Sequence, residues 1–120
     1  MLALSTERIG NLAVVECEGT ITHSEAACKL RDTVTSLEGM QLIVLDLSEL
    51  TLLEANGLSM FLFLQQWAYQ HHIQLKIFNP RWWVLKKLEH AAPIPGFDIA
   101  SIHEVTVILA NADGRFALPA

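Results

Sequence analysis

Leu42-Ile43-Val44-Leu45 constrains this chain more than any other stretch. Four consecutive apolar residues in a β-like run form a strand covered on both faces, because a strand with one wet face alternates apolar with polar residues. Such a strand belongs inside a sheet with other elements packed against it, and the flanking sequence supplies them. Leu2 to Ile9 and Leu12 to Cys17 are β-like runs joined by Gly10-Asn11, a two-residue hairpin signal, and Gly19 ends the second. Ser24 to Leu37 reads as a helix capped by Ser24, with Ala27, Leu30, Val34 and Leu37 at helical spacing and Gly39 as its stop.

Beyond the central run, Asn56 to His71 is the strongest helical segment. Ile73, Leu75 and Ile77 alternate with Gln74 and Lys76, so a strand covered better on one side follows. Asn79-Pro80 breaks it and opens another helix to about Ala92, stopped by Pro93 and Pro95. Phe97 to Ile102 reads as a short edge strand, and Glu104 to Ala110 as a β-branched helix. The fold class is therefore α/β: a mixed sheet opened by a β-hairpin, with helices packed against it. Residues 1–110 form one domain and 111–120 a loose C-terminal tail.

Composition narrows the function. The 120 residues are 52% hydrophobic and 18% charged, so either the core is large for the length or apolar surface is kept for a partner. Net charge is −5, and only Arg81, Lys86 and Lys87 cluster among the basic residues, which is too little for a nucleic-acid stripe. Cys17 and Cys28 fit neither a metal spacing nor a disulfide framework, and a reducing cytoplasm is the expected compartment. Leu58 to Leu64 is too short to span a bilayer. Nucleophile elbows and Gly-rich phosphate loops are absent from the sequence, so the expectation is a non-catalytic protein with no metal and no cofactor. Adjacent His71 and His72 point in different directions on a helix and would need further metal ligands from elsewhere.

The informative stretch runs from Leu45 to Leu58: a buried strand ends, a short apolar connection follows, and a helix opens at Asn56-Gly57. Asn56 is placed to cap that helix by accepting the Ser59 N–H, and Gly57 allows close approach of another group. Leu45-Asp46-Leu47-Ser48, Gly57-Leu58 and Asn79-Pro80, in this order and spacing, resemble the STAS domain pattern. That family includes bacterial anti-sigma factor antagonists and the cytoplasmic tails of sulfate transporters.

The resemblance implies a partner-binding turn at Glu54-Ala55-Asn56-Gly57. It also implies that Ala55 stands where antagonists of the family carry a serine phosphorylated by the anti-sigma kinase. Alanine has no hydroxyl, so that switch is absent at this position, while Glu54 keeps the acidic charge and Thr51 and Ser59 remain as nearby hydroxyls.

Two apolar stripes run along the helix. Leu58, Phe61, Leu62 and Tyr69 share one face, while Met60, Phe63, Leu64 and Trp67 form a second, nearly opposite. Either neighbouring elements bury the second stripe, or it docks a protein partner or a second copy of the chain. The expected function is a partner-switching regulator binding an anti-sigma factor or serine kinase-like protein. The alternative is a cytoplasmic accessory subunit serving the ATPase of an ABC-type lipid transporter.

Overall fold

The computed structural model describes residues 1–91 and 97–113. Its elements are β1 (Leu2–Ile9), β2 (Leu12–Ile21), α1 (Ser24–Thr35), β3 (Leu42–Leu53), α2 (Ala55–Gln70), β4 (Gln74–Phe78), α3 (Trp82–Ala91), β5 (Ile99–Ala100) and α4 (Ile102–Asp113). Five strands form one sheet in the order β1-β2-β3-β4-β5. The β1–β2 hairpin is antiparallel, with Ile9 opposite Leu12 across the two-residue turn, and every later pairing is parallel.

Alternation along the strands sorts the two faces of the sheet. Ala13, Val15 and Cys17 of β2, Ile43, Leu45 and Leu47 of β3 and Ile77 of β4 face the main core with Leu30 and Val34 of α1, Phe61 and Leu64 of α2, and Val84 and Leu88 of α3. Burying each large side chain of this set contributes about 1.5–3 kcal/mol. Helix α4 covers the other face: it lies against β1, and its Glu104 carboxylate is 3.7 Å from the ammonium of Lys76 on β4. Asp98 accepts a 2.8 Å hydrogen bond from the same ammonium and holds it above the usual lysine range.

The central strand departs most from its sequence reading. Its partner β2 runs past Gly19 to Ile21, and β3 continues through the supposed connection to Leu53. Two register shifts, between Glu16 and Glu18 and between Gly19 and Thr20, each place an extra residue on β3. These bulges reset the alternation, so Leu47, Leu50 and Leu53 are all fully buried at a spacing of three. A period-two search cannot recognise such a strand. Gly19 does not end β2 but stands on the partner strand at the second bulge: its φ is +110°, and a Cβ there would collide with the Met1 carbonyl.

Other boundaries move less. His23, not Ser24, is the cap residue of α1, with no side-chain cap bond. Helix α3 starts at Trp82, β5 is only two residues long, and α4 begins at Ile102 and runs past Ala110 into the segment read as a tail. Pro93, Pro95 and residues 114–120 lie outside the described residues.

Candidate functional site

The turn between β3 and α2 is built from its strand end outward. The Glu54 N–H donates to the Ile21 carbonyl at 3.0 Å, extending the β2–β3 ladder by one rung, and the Glu54 carbonyl then accepts the Leu58 N–H at 3.0 Å. Glu54 is thus the cap residue of α2, not Asn56, and its side chain makes no cap bond. Asn56 sits one residue inside the helix, too late to cap it, and its Nδ2 instead donates to the Thr22 carbonyl at 3.4 Å. Gly57 is buried because the first turn of α2 rests directly on the ends of β2 and β3. A Cβ at that position would collide with Leu53 Cδ1 and approach Ile21 Cγ2 to 2.7 Å.

This seating leaves Glu54, Ala55 and Asn56 exposed in a row at the start of the helix. The Glu54 carboxylate joins no ion pair among the described residues, so it offers a free negative charge beside the positive end of the helix dipole. Thr51 donates its hydroxyl to the Gly19 carbonyl at 3.0 Å, while Ser59 is exposed one turn into α2.

The two stripes of α2 do not keep their predicted roles. Its buried line is Gly57, Phe61, Leu64 and Ala68, roughly a quarter turn from either stripe. Leu64 and Trp67 belong to the core and lie out of a partner's reach, which corrects their assignment to a docking face. The reason is that α2 packs both on the sheet and beside α1, so its buried arc is broad. Trp67 remains at the edge of that arc, 9% exposed, with its ring stacked on His71 at 4.8 Å. Met60 is half-buried and Phe63 is 48% exposed, and with Asn56 they form an outer line at i, i+4 and i+7. Tyr69, read as sharing a face with Phe61, points to solvent. Two small residues on the buried line, Gly57 and Ala68, were the available signal, and a search for large apolar residues passes over both.

Helix α3 contributes what sequence reasoning missed. β4 pairs with β3 only as far as Asp46, so the rest of that β3 edge has no strand neighbour. Three side chains reach it from α3 and the residue before it. Arg81 Nε donates to the Ser48 carbonyl at 3.2 Å, Trp83 Nε1 to the Thr51 carbonyl at 2.8 Å, and Lys87 Nζ to the Leu53 carbonyl at 2.7 Å. Trp83 is therefore the anchored tryptophan, 37% exposed, and Trp82 the outward one at 69%. Arg81 also pairs with Glu49, and Lys86 with Glu89. Between α3 and the start of α2 opens a groove of about 440 Å³ lined by Leu53, Glu54, Ala55, Leu58, Lys87, His90 and Ala91.

Among the described residues, no group of three His, Cys, Asp or Glu side chains is placed to hold a metal ion. No helix among them is long and apolar enough to cross a membrane.

Comparison with known proteins agrees with this architecture. The fold is similar to an anti-sigma factor antagonist from Mycobacterium paratuberculosis, with a TM-score of 0.73 at 14% identity over 90% of this chain and 93% of that one. It is similar to the anti-sigma factor antagonist SpoIIAA in its unphosphorylated form, with a TM-score of 0.70 at 15% identity over 88% of this chain and 94% of that one. A domain of the murine solute carrier 26 family member A9 anion transporter also resembles it, with a TM-score of 0.66 at 15% identity over 91% of this chain but 19% of that one. No curated protein sequence matches the chain. The family pattern of the STAS domain matches residues 3–105, and the chain is a member of the STAS domain family.

Proposed function

We propose that this STAS domain works by binding another protein through the start and outer line of α2, as an anti-sigma factor antagonist-like regulator without a phosphorylation switch at this turn. Glu54, Ala55 and Asn56 make the polar head of the surface, and Met60 and Phe63 its apolar continuation. Gly57, Leu64 and Trp67 support it from beneath. The observation that carries the reading is the exposed Glu54-Ala55-Asn56 turn, whose carboxylate joins no ion pair among the described residues and which has no hydroxyl at Ala55. A partner is an anti-sigma factor or serine kinase-like protein with a basic, partly apolar contact face.

Immobilised protein challenged with native lysate tests the proposal. Wild type is expected to retain one kinase-like partner, and the double variant Glu54→Lys, Phe63→Ser to lose it while keeping its unfolding midpoint. With that partner and ATP, wild type is expected to gain no phosphoryl group on residues 54–57, whereas Ala55→Ser gains one by mass spectrometry. Retention of a transporter ATPase subunit would select the accessory-subunit reading. Equal retention by the double variant would place binding elsewhere on the domain.

A further inference from the structure

Lys87 carries an inference that rests on the docking reading and deepens it. Its ammonium bonds the carbonyl of Leu53, the last residue of β3 and the one immediately before the exposed turn. That carbonyl is trans to the Glu54 N–H, so it faces away from β2, and no β4 residue lies opposite it to donate a strand hydrogen bond. The peptide it belongs to also carries the Glu54 N–H, which donates to Ile21. One peptide plane is thus held from both sides, by the sheet through its N–H and by α3 through its C=O. Because a peptide group is rigid and planar, the two bonds together set the direction in which Glu54 leaves the strand. The bond is charge-assisted and part-buried, the stronger class of hydrogen bond.

We propose that Lys87 is a positioning residue for the docking turn, and that α3 fixes the orientation of Glu54 and Ala55 before any partner arrives. Pre-ordering of this kind strengthens binding by lowering the conformational entropy lost on association. Trp83, two residues upstream on the strand at Thr51, acts in the same sense but farther from the turn.

Amide hydrogen exchange on the free protein tests the proposal without a partner. Lys87→Met keeps the aliphatic stem and removes the ammonium, and Lys87→Arg restores a charged donor. In Lys87→Met, the amides of Glu54 and Leu58, which donate to the carbonyls of Ile21 and Glu54, are expected to exchange about tenfold faster, the equivalent of one such bond, while those of Ile43 to Leu47 keep their wild-type rates. Lys87→Arg is expected to recover most of the protection. Unchanged exchange at the turn in Lys87→Met overturns the proposal. So does faster exchange throughout the core, or failure to fold, since Lys87 would then be a general structural residue. The lysate experiment with the same variants separates the two readings. If wild type retains no partner, the docking function fails while the exchange result still decides the role of Lys87.

Discussion

The two halves of β3 solve the same problem by different means. From Leu42 to Asp46 the strand is paired on both edges, with β2 and β4, and alternates regularly. From Leu47 to Leu53 it is paired only with β2, carries two bulges, and has its free edge met by Arg81, Trp83 and Lys87. A regular ladder is held by many equivalent bonds, and no single side chain decides it. The second half depends on a few particular side chains, and it is the half that carries the candidate docking turn. Sites are placed where strand regularity ends because there the backbone can be aimed by individual contacts.

That contrast can be broken experimentally, and the largest effect is in the core. Leu45→Ala and Leu50→Ala are each expected to destabilise the domain by about 2–5 kcal/mol in denaturant titrations. A loss below about 1 kcal/mol at Leu50 would return the second half to a surface connection. A comparable sensitivity is expected from pH at Cys17, opposite the first bulge. Burial, and secondarily the charge of Asp46, push its thiol from 9.0 up to about 12. The folded state holds this proton more tightly than the unfolded chain, so the stabilisation is complete below about pH 9 and is lost as pH rises through about 12. Melting points measured across that window should fall more steeply in wild type than in Cys17→Ala, and alkylation near neutral pH should label Cys28 and spare Cys17.

Smaller effects sharpen the comparison. Gly57→Ala would stabilise an isolated helix by about 0.5–1 kcal/mol. Here the collision with Leu53 and Ile21 is expected to reverse the sign, giving a net loss on the order of 1 kcal/mol. Trp83→Phe removes one donor from the free edge and keeps most of the packing, so a loss of about 1 kcal/mol is expected by thermal unfolding. Phe63→Ser should change stability least, by less than about 1 kcal/mol, because its ring is 48% exposed. A large loss there would make the outer line of α2 part of the core and remove it from the docking surface.

The regular elements were legible because each obeys one period. The hairpin at Gly10-Asn11, the strand at Leu42 to Leu45 and the α1 stripe of Ala27, Leu30 and Val34 need no information beyond their own neighbours. The candidate site was legible only in outline. Its exposed acidic turn followed from the order of the STAS motifs, but the division of α2 into buried and outer lines did not. A helix that is apolar on several sides does not reveal which side meets the sheet, and the deciding residues here are the small Gly57 and Ala68.

Sequence alone determined the α/β class, the opening hairpin and the absence of a hydroxyl at residue 55, since each is a property of local residue types and their spacing. Only the tertiary structure decided that β3 runs to Leu53, that Leu64 and Trp67 are core, and that Lys87 holds the peptide before the turn. Those outcomes depend on which long-range partner each group meets, and a partner 34 residues away leaves no periodic mark on the chain.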